Sequence, residues 1–312
     1  MELIVVRGKR GMDRYCKVEK IAELQGHTQG IYAMALDGEG FLYTAGGDGM
    51  LVRWQPLESD TGLAVARFPG PVYSLLFPDG VRWVAGAATG ELFMQESEGQ
   101  VRRLLAHQNG LFALMAAGEG KWYSGGGDGR CMEWNDAGNA SALNHFSNQS
   151  LRVLQMLPGN AVAAGYSDAQ IRIWNSDPIE TLLVLNGHSG SVFALAFHPQ
   201  LQRLYSAGRD ARLLVWDAAA GFALIDEVKA HLLHIHHMDL SPDGKLLATA
   251  SMDKTIRIWD SHSLQLLKVI GAANAFAHRS SVNRLLWLEN RVLASAGDDR
   301  MLRVFRIELL SD

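Results

Sequence analysis

Only two cysteines, Cys16 and Cys131, occur in the 312 residues, far apart in the chain. They are too few for a disulfide framework, so a reducing compartment is expected. Long apolar runs are missing as well. The N-terminal stretch Leu3 to Val6 ends at Arg7, short of a signal-peptide core, and nothing approaches the ~20 apolar residues of a membrane helix. The chain therefore reads as soluble and cytoplasmic, with no membrane partner. A basic excess is absent: 29 Lys and Arg stand against 33 Asp and Glu, a net charge of −4. That balance argues against a generic binder of nucleic acid or anionic lipid, which usually carries a positive surplus. No window holds a helical period over ten residues. The chain also lacks a phosphate-cradling loop, because the glycine-dense Gly125 to Gly129 precedes a strand rather than a helix. Proline is scarce at 8, whereas glycine is plentiful at 32, which signals many tight turns. With 48% apolar and 20% charged residues, the composition is that of an ordinary globular protein. A chain of this length buries roughly three quarters of its unfolded surface, so neither a disulfide nor a metal staple is required.

The length alone would suggest two domains, but self-similarity changes that count. Six segments share an Asp followed six positions later by an aromatic: Asp48/Trp54, Asp128/Trp134, Asp168/Trp174, Asp210/Trp216, Asp253/Trp259 and Asp299/Phe305. Successive Asp spacings are 80, 40, 42, 43 and 46. The doubled gap hides a degenerate unit, Val84 to Gln95, with Thr89 at the Asp position and Gln95 at the Trp position. Seven units follow, filling residues 1–312 as one domain.

Each unit reads as four short strands. Ile171-Arg-Ile-Trp174, Leu213-Leu-Val-Trp216 and Ile256-Arg-Ile-Trp259 are rich in β-branched and aromatic residues. Upstream lie Phe41-Leu-Tyr-Thr-Ala-Gly46 and its repeats, and before them Ile31-Tyr-Ala-Met-Ala35, echoed at Leu111 and Val192. A variable fourth strand covers Leu63 to Phe68, Thr181 to Leu185 and Leu264 to Val269. Four strands per unit of about 43 residues, without helices, predict an all-β fold: a seven-bladed β-propeller of four-stranded antiparallel blades.

The pairs Gly26-His27, Gly187-His188, Trp216-Asp217 and Trp259-Asp260, with the turn Ser241-Pro-Asp-Gly244, carry a resemblance to the WD-repeat β-propeller family along nearly the whole chain. The resemblance implies a structural role for residues that would otherwise suggest a hydrolase triad. The set His27, Thr44, Asp48 and Trp54 recurs as His107, Ser124, Asp128 and Trp134, as His188, Ser206, Asp210 and Trp216, and as His231, Thr249, Asp253 and Trp259. In unit seven it stands as His278, Ser295 and Asp299, with Phe305 for Trp. A catalytic site occurs once, whereas a scaffold device recurs with the repeat. In the family, Asp accepts from one imidazole nitrogen, the other nitrogen meets the hydroxyl, and the hydroxyl accepts from the indole. Unit two has neither His nor Asp. Unit four keeps Asp168 and Trp174 but has Gln149 near the His position and Ala164 at the Ser position. Both units, together with unit seven, are expected to rely on packing and to be less rigid.

The family's usual closure implies that residues 17–24 pair beside Met301 to Ile307 as the outer strand of the last blade. Leu3 to Val6 is strand-like, a further edge strand, and Gly8 to Arg14 reads as a basic linker. In the run His231 to His237, His231 belongs to the blade network. His234 and His236 share a strand face while His237 points away, so two ligands converge where zinc needs three or four. No metal and no cofactor is expected, and Cys131 reads as inert core.

Partners of the resembled family usually dock on the face where outer-to-inner loops meet the Asp-bearing turns. The positions pointing there include Tyr32, Tyr73, Phe112, Arg152, Phe193, His236 and Asn283 from the first strands, and Arg209, Met252 and Asp298 before the Asp positions. Aromatics and arginines around one channel mouth match the composition of interface hot spots. Gly30, Gly110, Ser150 and Ser191 beside them are expected to leave room for an inserted side chain. The expectation is a non-enzymatic scaffold that binds a protein or peptide, acidic or phosphorylated, as a monomeric propeller within a larger complex. The competing reading is an enzyme or small-ligand binder using the channel, with His234, His236 and Asp298 as its best candidates.

Overall fold

A computed structural model describes residues 15–97, 99–176 and 179–310. The segments Leu3 to Val6 and Gly8 to Arg14 lie outside the described residues, in whole or nearly so. The strands form seven four-stranded antiparallel sheets arranged as a β-propeller, and no α-helix occurs among the described residues. In the first blade the strands run Ile31–Leu36, Leu42–Gly46, Met50–Trp54 and Leu63–Arg67, from the channel outward.

The burial of each strand explains its composition. Leu42–Gly46 is buried at every residue, because both of its faces pack against neighbouring blades. Such a strand needs small residues, hence its Ala and Gly and the matching Ala161–Tyr166 and Leu246–Ser251. The outermost Leu63–Arg67 is exposed along almost its whole length, which leaves its sequence free to vary. Cores lie between blades rather than at the centre. Ala45, Leu51 and Tyr43 of the first blade meet Val72, Phe77 and Trp83 of the second, and six similar clusters fill the other junctions.

The turn after each Asp position is the same in all seven blades. The next residue takes a left-handed φ of 62° to 88°: Gly49, Gly90 and Gly129, then Ala169, Ala211, Lys254 and Arg300. At Gly129 a Cβ would sit 1.9 Å from the Ser147 carbonyl oxygen, so backbone approach as well as φ demands glycine there.

The ring is closed by Tyr15–Gln25, which lies antiparallel beside Met301–Leu310 in the seventh blade, with Lys17 opposite Glu308 and Leu24 opposite Leu302. It exceeds the expected 17–24 by two residues at one end and one at the other. Leu24 is buried with Trp54, Val292 and Leu302 in the cluster that joins the last blade to the first. Across the seam Arg303, itself held by Asp299 at 2.7 Å, bonds Glu23 at 3.0 Å, so ion pairing reinforces the apolar closure.

Candidate functional site

Two sets of residues were singled out by the sequence, and the structure places them in different parts of each blade. The first set lies between strands, inside the blade. In five blades the His Nδ1 lies 2.8–3.1 Å from the Asp carboxylate. The Nε2 lies 2.7–2.8 Å from Thr44, Ser124, Ser206, Thr249 or Ser295. Four indoles donate to the same hydroxyls at 2.7–3.0 Å. In the four blades with Trp the carboxylate fixes the proton on Nδ1, which leaves Nε2 to accept from the hydroxyl and the hydroxyl oxygen to accept from Trp. The imidazoles are buried, His107 and His231 to 1% exposure, with every nitrogen engaged inside the blade.

Burial holds His107, His231 and His278 below the usual imidazole range, against the pull of their Asp partners. For the partners Asp128, Asp253 and Asp299, burial pushes the other way but is outweighed. The imidazole and backbone N–H groups keep these carboxyls below their ordinary value.

Blade four departs from the expectation of packing alone. Ser147, not Gln149, stands 21 residues before Asp168 and donates to it at 2.9 Å. Arg172 adds two bonds to the same carboxylate, at 3.1 and 2.8 Å. A hydroxyl is too short to span the space of an imidazole, and the guanidinium four residues after Asp168 fills it. With Ala164 in place of a hydroxyl, the buried indole nitrogen of Trp174 has no partner among the described residues. In blade seven Arg303 plays a similar part beside Asp299, so that blade too has more than packing. Blade two is apolar instead. Phe68 occupies the His position and packs on Trp83 and Phe93 at 5.5 and 5.0 Å.

The second set assembles at one mouth of the channel. Each innermost strand breaks register at the residue after its first buried position, so every blade carries a β-bulge at the same place. A bulge re-aims the local side chain. The bulged residues are Tyr32, Tyr73, Phe112, Arg152, Phe193, His236 and Asn283, and all line one cavity of about 500 Å³. They touch in order around the ring. Tyr32 meets Tyr73 edge-on at 5.7 Å, and Tyr73 stacks on Phe112 at 5.7 Å. The Arg152 guanidinium sits 3.9 Å over Phe112 and 5.3 Å over Phe193. Phe193 then faces His234 and His236, each at 6.4 Å. Asn283 bonds the Ile31 carbonyl at 3.1 Å and returns the circle to the first blade.

The remaining sequence candidates lie elsewhere. Arg209 and Met252 are exposed and do not line the cavity. Asp298 is engaged by Asn283 at 2.7 Å. Ser150 and Ser191 leave no gap, since each hydroxyl donates to a carbonyl of the preceding blade, Gly127 and Ser167. A Cβ on Gly30 or Gly110 would come within 2.8 Å of Asp298 or Phe112, so those glycines also sit in close packing.

Sequence reasoning missed Arg284. Strict alternation from Val282 turns it into the blade, but the bulge at Asn283 shifts the phase and brings it to the cavity. Its Nε donates to the Tyr32 carbonyl at 2.6 Å and its Nη2 to that of Tyr73 at 3.0 Å. One side chain thereby caps bulged backbone in two other blades. Burial, and secondarily the charge of Arg152, lowers its pKa to about 10.

Residues 18–55, 179–217 and 223–260 match the family described as "WD domain, G-beta repeat". Each matched segment starts on the outermost strand of one blade and ends on the third strand of the next, as at 223–260, which runs from Ala223–Lys229 to Ile256–Asp260. Three repeats of that family thus stand in a seven-bladed β-propeller. The stagger explains its closure, for the first repeat can be completed only by lending its opening strand to the last blade. Among curated proteins the chain is similar to "Coronin-7" of Rattus norvegicus, 30% identical over 168 residues, 50% of this chain and 18% of that one. It is similar to "p21-activated protein kinase-interacting protein 1-like" of Gallus gallus, 28% identical over 159 residues, 51% of this chain and 40% of that one. A third relative is "Protein HIR1" of Eremothecium gossypii, 28% identical over 181 residues, 47% of this chain and 21% of that one. The matches thus cover two fifths or less of these relatives' own lengths.

Proposed function

We propose that this propeller is a non-enzymatic docking platform that binds a peptide or protein at the channel mouth. WD-repeat propellers generally mediate protein interactions and are generally non-catalytic. The observation that carries the reading is the contiguous rim of Tyr32, Tyr73, Phe112 and Phe193 around an open cavity. Partly exposed aromatics at a concave centre are the usual anchors of binding energy. The finer reading is a cytoplasmic assembly in which a monomeric propeller engages an acidic or phosphorylated residue near Arg152. His236 is a further contact in the cavity, and Arg209, Met252 and Asp298 serve as outlying ones. The buried, free cysteines suit that compartment, and the name of the Gallus gallus relative, a kinase-interacting protein, supports a protein partner.

The test is affinity capture with the wild type and a Tyr73→Ala/Phe112→Ala variant, followed by calorimetry on the recovered partner. Removing the two rings is expected to cost about 2 kcal/mol or more in binding, roughly thirtyfold, while the melting temperature stays near wild type. A partner bound equally well by both proteins would place the docking surface elsewhere on the propeller.

A further inference from the structure

We propose that the channel mouth is an oxyanion receptor, in which a carboxylate or phosphate monoester of the docked peptide lies in the guanidinium plane of Arg152, above Arg284. This rests on the docking reading and names the chemistry that the site recognises. Two rings flank the Arg152 guanidinium carbon, Phe112 at 3.9 Å and Phe193 at 5.3 Å. No hydrogen bond or ion pair to another described residue uses its N–H groups. A planar fork with unused N–H groups matches the two oxygens of a carboxylate or phosphate. The flanking rings also restrict the side chain, so less freedom is lost when an anion binds.

Arg284 adds a second cation. Its partners among the described residues are the neutral carbonyls of Tyr32 and Tyr73, which do not balance its charge. Two other partly buried arginines do meet carboxylates. Arg172 has Asp168, and Arg303 has both Asp299 and Glu23. At the mouth no acid lines the cavity among the described residues, and Asp298 outside it is bonded by Asn283. Two desolvated cations facing one cavity without an acid are an unbalanced arrangement that a bound anion would complete. The cavity of about 500 Å³ falls within the range of small-ligand pockets. One rim is apolar: Leu232, Leu233 and Met252 are 76%, 46% and 43% exposed, and Met252 N–H bonds the carbonyl of the cavity residue His234 at 2.9 Å. An anionic group flanked by apolar residues in an extended peptide fits both surfaces.

Isothermal titration of the full chain with phenyl phosphate and phenylacetate, with phenylacetamide as the uncharged control, tests the assignment. One or both anions should bind one-to-one, with affinity falling as salt rises, and the amide should not bind. Binding of phenyl phosphate alone points to a phosphorylated side chain, and binding of phenylacetate alone to an acidic side chain or a C-terminus. Arg152→Met and the charge-keeping Arg152→Lys should each weaken the anion about tenfold or more, because Lys lacks the planar fork. Arg67→Met, on the exposed outermost strand of the first blade, should leave affinity unchanged, and melting temperatures should verify that all variants are folded. The proposal is overturned if neither anion binds, or if Arg152→Met binds as the wild type does. A captured partner that needs Tyr73 and Phe112 but is indifferent to Arg152→Met would overturn the oxyanion assignment while leaving docking intact. Anion binding that depends on Arg152, together with a partner indifferent to the aromatic rim, would overturn the docking reading alone.

Discussion

Asp128→Ala tests whether the His, hydroxyl and Asp sets are structural. The Asp128 carboxylate accepts from Nδ1 of His107 at 3.0 Å, from the Gln108 N–H at 3.1 Å and from the Arg130 N–H at 3.2 Å. The two backbone donors lie at the exposed edge of the turn and pass to water at small cost. The His107 N–H is stranded in a site 1% exposed, which costs about 1–3 kcal/mol by itself. Together the losses come to about 2–4 kcal/mol. At roughly 2 °C per kcal/mol for a chain of this size, the melting temperature should fall by about 4–8 °C. Asp128→Asn keeps one acceptor oxygen and should lose only about 1 kcal/mol, the charge-assisted part of the bond. Thr89→Ala, at the equivalent position in the blade built on Phe68, should stay within about 0.5 kcal/mol of wild type. Urea denaturation and calorimetry on the three variants provide the measurement. An Asp128→Ala protein that unfolds at the wild-type midpoint, or that loses a discrete activity with unchanged stability, would refute the reasoning.

Three further outcomes are expected. Burial keeps His107, His231 and His278 neutral, so their contribution to stability is full above about pH 6.5, the free imidazole value, and is lost as pH falls through their lower folded values. Asp128, Asp253 and Asp299 contribute fully above about pH 3.9 and lose that contribution as pH falls through their depressed folded values. Asp239 runs the other way, since burial pushes its carboxyl up to about 7 and its ionised form becomes a liability as pH rises from about 4 through 7. Asp239→Asn, which can still accept the Trp287 N–H, should be more stable than wild type at pH 8, and the difference should vanish near pH 4. In that background denaturant midpoints should fall steadily from pH 7 to pH 3; a flat profile would contradict the buried His–Asp account. Ala164→Ser should supply the acceptor that Trp174 lacks and stabilise blade four by about 1 kcal/mol, a rise of about 2 °C in calorimetry.

The repeat of Asp and aromatic residues determined the number of blades, because each unit must rebuild the same turn and the same buried bonds. The alternation of Ile171-Arg-Ile-Trp174 and its relatives determined the strands, and the family resemblance pointed to the strand Tyr15–Gln25 that closes the ring. The stand-in for histidine in blade four was missed, for the sequence reading took Gln149 although it is Ser147 that keeps the 21-residue offset from Asp168, with Arg172 four residues after it. The channel mouth was legible only in part. The positions carried over from the family include Tyr32, Tyr73 and Phe112, which line the cavity, and Arg209, which does not, and they leave out Arg284. The reason is that local periodicity records which face of its own strand a residue takes, whereas seven bulges shift that phase at the rim. Arg284 finds its partners 252 and 211 residues away, at Tyr32 and Tyr73, and only the closed ring brings those carbonyls within its reach.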